Sequence, residues 1–297
     1  KGFKELADYV HQKGLKFGIH IMRGIPKEAV AQKMPVKGTD GITADQIYSE
    51  DNLCKWLSDN YTVDTSKPGA QEYYNSIINM YADWGVDFIK VDDLSAPYYH
   101  KDEIEMIRYA IDHCGRPIVF STSPGETPVE EAEHVRNHAN MWRMVNDVWD
   151  VWGDIDHLLS VCQKWYSYIT PGTWPDCDMI PLGRISIRGE RGDEQYTLMT
   201  LFTIFRSPLM FGGDLPSCDD FTLSLLTNEA VLKMHRESVD TRMLYRELDK
   251  VAITSRHPQT GEVYLALFNT SDEKEISVGV ELKELGIEGT AEITDLW

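Results

Sequence analysis

Positively charged residues are scarce in this sequence. Its 297 residues include 29 Lys and Arg against 48 Asp and Glu, which gives a net charge of −19. A chain this acidic is repelled by nucleic-acid phosphates and by anionic lipid surfaces, so we predict neither as a partner. The sequence also lacks any run of about 18 apolar residues, so no transmembrane helix is predicted.

Cysteine pairs and nucleotide-binding glycine motifs are lacking as well. The five cysteines form no Cys-x-x-Cys pair and no Cys/His cluster at zinc spacing, so we predict no structural zinc site, and they do not indicate a cell compartment. No Gly-x-Gly-x-x-Gly follows a predicted strand and no P-loop is present, which argues against nucleotide binding.

Strand-like apolar runs alternate with amphipathic helical patterns six times along the chain. The runs cover residues 15–21, 86–91, 116–121, 139–145, 174–180 and 208–211. Such alternation is typical of a parallel sheet with helical crossovers. It predicts an α/β protein with a (β/α)₈ barrel that lacks its first two strands, and a doubly wound open sheet is the alternative.

Two segments depart from this alternation. Residues 23–69 are polar and too long for a plain connection, so we predict an excursion that helps to build a site. The runs 251–255, 263–268 and 276–280 indicate an antiparallel β module. We therefore predict a partial catalytic barrel over residues 1–240 and a partial β-sandwich domain over 241–297. We expect the native protein to be longer at both ends, or another chain to supply the missing strands.

Charged residues stand at the ends of two predicted strands. Lys90 and Asp92 close one strand and share a face, and Asp147 follows another strand. The carboxyl ends of parallel strands are where active sites lie in such folds. Two carboxylates there suit glycoside hydrolysis, with either stereochemical outcome. The structural alternatives are a salt bridge between Lys90 and Asp92 and a helix N-cap at Asp147.

Several motifs along the chain resemble those of glycoside hydrolase family 27, which contains α-galactosidases and α-N-acetylgalactosaminidases. Residues 84–92, ending in Lys90-Val91-Asp92, resemble the family's nucleophile motif. Residues 142–147 resemble its acid/base segment, and residues 174–179 resemble a Trp-x-Asp-x-Asp-Met segment that helps to bind the sugar. The matches occur in family order up to about residue 240.

The resemblance implies a retaining, exo-acting hydrolase of terminal α-galactosides. It assigns the nucleophile to Asp92 and the general acid/base to Asp147, while Lys90, Arg143 and Asp178 would hold sugar hydroxyls. It implies no metal and no organic cofactor. The expected partner is an oligosaccharide or glycoconjugate that contains an α-galactoside, and an oligomer is compatible with the sequence. Bacterial members of the family are often exported, which favours a periplasmic or extracellular location.

Three further residues are candidate substrate contacts. Ser123 stands where the family reads the 2-position of the sugar, and a Ser there is typical of galactosaminidases. His20 stands where the family commonly has Tyr, and Trp56 is a candidate sugar platform. The alternatives are a core histidine and loop packing, respectively. The family's paired sugar-binding aspartates, which follow its second strand, are not in this sequence.

Three other functions remain open at this point. An α-N-acetylgalactosaminidase would keep the chemistry and change the sugar. A non-catalytic carbohydrate-binding domain would explain the missing strands. A metal-dependent barrel enzyme would use Asp92, Asp93 and Asp178 as ligands.

Overall fold

The computed structural model describes residues 2–183, 192–271 and 274–297. Its backbone contacts divide the chain into two compact units, Lys1–Arg143 and Met144–Trp297. The predicted domain boundary at residue 240 stays a prediction. Among the described residues, no helix combines the length and the apolar character that crossing a membrane requires.

The first unit alternates short helices and strands. In chain order its elements are α1 (Lys4–Gln12), β1 (Gly18–Met22), β2 (Ile25–Pro26), α2 (Lys27–Ala31), β3 (Tyr48–Ser49), β4 (Asn60–Val63), α3 (Ala70–Asp83), β5 (Phe88–Asp92), α4 (Lys101–His113), β6 (Val119–Thr122), α5 (Ala132–His138) and β7 (Met141–Arg143).

Strands β1, β5, β6 and β7 pair in parallel in that order, as the alternation predicts. Ile89 and Val91 of β5 are fully buried, and α3 packs against α4, each helix burying apolar side chains such as Ile78 and Ile107. These buried branched side chains explain the short apolar run that precedes Asp92.

The excursion over residues 23–69 forms a small sheet of its own. Strand β4 pairs antiparallel with both β2 and β3. The backbone N–H of Arg23 donates to the carbonyl of Asp92 over 3.1 Å. The excursion therefore begins at the carboxyl end of β5, where the sequence places the candidate site.

The second unit begins with helices and short strands and ends with an antiparallel sheet. Its elements are α6 (Trp152–Trp165), β8 (Trp174–Asp176), β9 (Met179–Ile180), α7 (Gly192–Phe205), β10 (Met210–Phe211), α8 (Asp220–Leu226), α9 (Glu229–Glu237), β11 (Val239–Glu247), β12 (Lys250–Arg256) and β13 (Val263–Asn269). Strands β11, β12 and β13 form an antiparallel sheet, as predicted for this region.

The second unit differs from the predicted elements in three places. The amphipathic pattern of residues 221–236 predicts one helix, but the structure has two, α8 and α9, because Asn228 caps α9 by accepting from the N–H of Val231. The strand expected over 174–180 is split by Asp178, whose φ of 77° turns the chain. The described residues 276–280 form no strand, although their composition is β-like.

Candidate active site at the strand ends

Strand β5 presents two charged side chains on one face. Ile89 and Val91 are buried on the other face, while Lys90 and Asp92 are half-buried. This is the two-residue alternation of a strand, and it turns both charges toward the same side of the sheet. In the parallel register His20 of β1 lies beside Lys90. This predicted substrate contact is therefore the neighbour of Lys90 in the sheet. His20 itself is exposed.

Two neutral donors hold the carboxylate of Asp92. The hydroxyl of Ser123 donates to its Oδ1 over 3.0 Å, and the indole Nε1 of Trp56 donates to its Oδ2 over 3.2 Å. Ser123 is buried and fixed, because its backbone N–H donates to the carbonyl of Val91 over 3.0 Å. Trp56 is 49% exposed. The carboxylate is thus oriented on both oxygens without a cation at either of these contacts.

The next residue, Asp93, has a different environment. Its φ of 63° ends the strand and turns its side chain inward, where it is buried. The Nη2 of Arg23 lies 2.9 Å from its Oδ2, and the Nε of Arg23 donates to its backbone carbonyl over 2.7 Å. Burial raises the pKa of Asp93 to about 6, with Arg23 opposing the rise and Asp92 adding to it.

Arg23 also serves a second buried carboxylate. Its Nη1 donates to Oε1 of Glu103 over 3.0 Å, and the hydroxyl of Tyr74 donates to the other oxygen of Glu103. Burial raises the pKa of Glu103 as well. His100 Nδ1 lies 3.5 Å from Glu103, and burial lowers the pKa of His100 to about 3. This buried network, which we call the Arg23 cluster, supports the turn that follows Asp92.

The Arg23 cluster tests the hypothesis of a metal site that uses Asp92, Asp93 and Asp178 as ligands. The guanidinium of Arg23 already supplies a cation at Oδ2 of Asp93, 2.9 Å away. A metal site that uses Asp93 therefore does not fit these residues. The sequence patterns did not predict a role for Arg23. Its position directly after β1 is the one sequence signal that could have pointed to it.

Asp147 belongs to the second unit and lies in the loop that precedes α6. Its side chain is exposed, and the N-cap of α6 is Val151, so the helix-cap alternative for Asp147 is wrong. The N–H of the next residue, Val148, donates to Oδ2 of Asp178 over 2.8 Å. Asp178 is buried, and its own N–H donates to Asp176 over 2.9 Å. Asp178 thus anchors the backbone beside Asp147.

Arg143 ends β7 in the first unit and is buried. Its carbonyl accepts from both the N–H and the hydroxyl of Thr127, over 3.2 and 2.6 Å. In the first unit the structure therefore brings Asp92 together with Ser123 and Trp56. In the second it links the Asp147 loop to Asp178. The sugar contacts assigned to these residues stay predictions.

The comparisons with known proteins point in one direction. A family model described as alpha galactosidase A matches residues 28–237. A β-L-arabinopyranosidase of glycoside hydrolase family 27 from Geobacillus stearothermophilus is 50% identical, with a TM-score of 0.91, over 96% of this chain and 68% of that one. A variant of that enzyme has been solved in complex with arabinose.

Curated relatives are more distant. Alpha-galactosidase 2 of Arabidopsis thaliana is 26% identical over 80% of this chain and 50% of its own length. The alpha-N-acetylgalactosaminidase of Rattus norvegicus is 25% identical over 96% of this chain and 62% of its own length. The chain thus spans 50 to 62% of these two relatives. The likenesses confirm the family resemblance and the predicted fold class, a (β/α)₈ barrel followed by an antiparallel β domain.

Proposed function

The chain belongs to the alpha-galactosidase A family, glycoside hydrolase family 27, and we propose on that basis that it carries out retaining hydrolysis of terminal α-linked galactosides. The observation that carries the proposal is the environment of Asp92. Its carboxylate stands at the carboxyl end of a buried parallel strand, with each oxygen held by a neutral donor. Such a carboxylate is positioned for attack on the anomeric carbon.

The reaction proceeds in two displacements. In the first, an oxygen of Asp92 bonds to the anomeric carbon while the glycosidic C–O bond breaks, and Asp147 donates its proton to the leaving oxygen. In the second, Asp147 takes a proton from water, the water oxygen bonds to the anomeric carbon, and the bond to Asp92 breaks. Two inversions restore the original anomeric configuration.

The remaining site residues have positioning roles in this proposal. Lys90 projects from the same face of β5 as Asp92, so its ammonium binds a sugar hydroxyl beside the nucleophile. Asp178 anchors the loop of Asp147 through Val148. Arg143, Ser123, His20 and Trp56 would complete the substrate contacts, with an α-galactoside-containing oligosaccharide or glycoconjugate as substrate.

A second substrate is favoured by one observation. The solved structure that is 50% identical to this chain is a β-L-arabinopyranosidase, whereas the curated α-galactosidase compared above is 26% identical. β-L-Arabinopyranose has the ring hydroxyl arrangement of α-D-galactopyranose without the hydroxymethyl carbon. The same two carboxylates can therefore process either glycoside, and the pocket around C5 decides between them.

Aryl glycosides offered to the full-length protein test both candidates. Nitrophenyl α-D-galactopyranoside, β-L-arabinopyranoside and α-N-acetylgalactosaminide differ only at C5 or C2. We expect turnover of the first or second, with the released sugar appearing first as the same anomer in proton NMR. Release of the opposite anomer would overturn the retaining mechanism. A folded protein that binds galactose but hydrolyses none of the three would be a carbohydrate-binding domain instead.

The role of Asp147 can be tested separately. Asp147→Asn removes the proton donor, and general acid catalysis contributes about 10²- to 10⁴-fold. We expect the full loss on an alkyl glycoside and a much smaller loss on a dinitrophenyl glycoside, whose leaving group needs no proton. Asp220→Asn, at an exposed position in α8, is the matched control. An equal loss on both substrates would contradict the assignment of Asp147.

A further inference from the structure

A cluster of potential metal ligands lies on helices α4 and α5 of the first unit. Glu105 of α4 and His134 and His138 of α5 each offer one ligand atom, and these atoms lie within 4.8 Å of one another. The two histidines are four residues apart, so they share one helix face. Their rings stack with centroids 4.2 Å apart. The Glu105 carboxylate faces them, with its Oε1 3.1 Å from Nε2 of His134.

Hydrogen bonds define which ring nitrogens can bind a metal. Nδ1 of His138 lies 2.7 Å from the backbone carbonyl of His134. A carbonyl only accepts, so this nitrogen carries the proton and leaves Nε2 of a neutral His138 with a free lone pair. The hydroxyl of Tyr99 lies 2.6 Å from Nδ1 of His134. Tyr99 therefore orients the second ring, as outer partners do for metal-bound histidines.

The environment favours neutral imidazole. The His134 side chain is only 8% exposed. Burial lowers the pKa of His134, the neighbouring His138 and Lys101 lower it further, and Glu105 opposes them. Neutral imidazole is the form that a metal requires. The Glu105 side chain is 48% exposed, so the site opens to solvent on that side and its carboxylate can move.

We propose that Glu105, His134 and His138 form a binding site for a divalent cation of the Zn²⁺ class. Two imidazoles, one carboxylate and a water are a donor set that holds four-coordinate Zn²⁺. At metal–ligand distances of about 2.0–2.1 Å, the ligand atoms would stand roughly 3.4 Å apart, which the exposed Glu105 can reach by a small movement. The ion links α4 to α5 and is independent of the proposed glycosidase activity.

Binding also moves protons in a defined way. Without metal, Nε2 of His134 donates its proton to Glu105, and Nδ1 accepts from Tyr99. If a metal takes Nε2, the proton on that nitrogen moves to Nδ1, so the imidazole stays neutral and Nδ1 then donates to the hydroxyl oxygen of Tyr99. Protons compete with a metal for imidazole nitrogen, so we expect metal affinity to fall as pH falls.

The test uses full-length protein that has been stripped by a chelator and freed of it. Titration with Co²⁺ should produce the visible absorption of a four-coordinate ion, and one equivalent of Zn²⁺ should abolish it. Zn²⁺ should also raise the melting temperature of the stripped protein, because it binds the folded state only. Absence of the Co²⁺ spectrum, or binding at millimolar concentration only, would overturn the proposal.

Variants locate the site. We expect His138→Gln and Glu105→Gln each to weaken Co²⁺ binding at least 100-fold, and Tyr99→Phe to weaken it about 10-fold. His113→Gln, an exposed histidine of α4 whose ring stacks on Tyr109, is the matched control and should bind normally. Unchanged binding in Glu105→Gln would assign the metal to other residues. Glu105 is exposed, so this variant remains informative if His138→Gln does not fold.

Discussion

Asp92 and Asp93 are chain neighbours with opposite environments. Asp92 is half-buried and held by the neutral donors Ser123 and Trp56. Asp93 is buried and paired with the guanidinium of Arg23, which also holds Glu103. A neutral donor orients a carboxylate and leaves its charge available for chemistry. A buried guanidinium neutralises the carboxylate and makes it part of the scaffold.

The comparison predicts that a substitution at Asp92 lowers activity, whereas a substitution that removes the partner of Asp93 lowers stability. Asp92→Asn keeps the shape of the side chain but removes the nucleophile, so we expect kcat to fall about 10⁴-fold or more. Its free energy of unfolding should change by less than about 1 kcal/mol, because the side chain keeps its shape at a half-buried position. Aryl-glycoside kinetics and urea unfolding measure the two effects. Full activity in Asp92→Asn would mean that Asp92 is not the nucleophile.

A substitution in the Arg23 cluster should lower the free energy of unfolding. Arg23→Met leaves Asp93 and Glu103 buried without their cation, which we expect to lower the free energy of unfolding by about 3–5 kcal/mol at pH 8. The loss should be smaller at pH 5, because Asp93, with a pKa of about 6, is then largely protonated, and the raised pKa of Glu103 acts in the same direction. Lys33→Met, which removes an exposed ion pair with Asp45, is the control and should cost about 1 kcal/mol or less.

A loss in Arg23→Met no greater than that in Lys33→Met would show that the guanidinium is not needed to hold the buried carboxylates. Asp93 would then not differ from Asp92 in its contribution to the free energy of unfolding.

The donors to Asp92 should matter less than Asp92 itself. A hydrogen bond to a charged group contributes about 1.5–3 kcal/mol, so Ser123→Ala should lower kcat/KM about 10- to 100-fold. Trp56→Phe loses a longer and more exposed bond and should lower it only several-fold. Trp149→Phe, at another exposed tryptophan, is the control for the loss of an indole. Equal activity in all three variants would mean that these donors do not position the nucleophile.

The smallest expected effect is a pH dependence from His100. Its folded pKa is about 3 against an ordinary 6.5, lowered first by burial and then by Arg23. Below pH 6.5 the unfolded chain therefore binds a proton that the folded chain refuses, so stability is lost as pH falls. Between pH 7 and 5 this amounts to up to about 2 kcal/mol.

Urea unfolding of the protein and of His100→Gln at both pH values isolates this contribution. Asp93 acts in the opposite direction, since its raised pKa favours the folded state at acid pH, but it is present in both proteins and largely cancels. Parallel pH profiles would mean that His100 is not held neutral in the Arg23 cluster.

Much of the scaffold was predictable from local pattern. Apolar residues recur at helical spacing over residues 101–113, which form α4, Lys101–His113. The strand that ends in Asp92 lies where the apolar run predicts it. Local pattern was insufficient where a single polar residue ends an element. Asn228 divides one predicted helix, and Asp178 divides one predicted strand. In both cases the hydrophobic periodicity continues across the break, so periodicity could not reveal it.

The sequence by itself determined that the chain is an α/β glycosidase-family protein and that charges crowd the end of β5, because alternation and ordered motifs are properties of neighbouring residues. Only the tertiary structure decided which of two adjacent aspartates is scaffold. The partners that decide it come from far along the chain: Arg23 lies 70 residues from Asp93, and Trp56 and Ser123 lie 36 and 31 residues from Asp92. Burial and counter-charge are set by contacts that folding creates, and no local pattern encodes them.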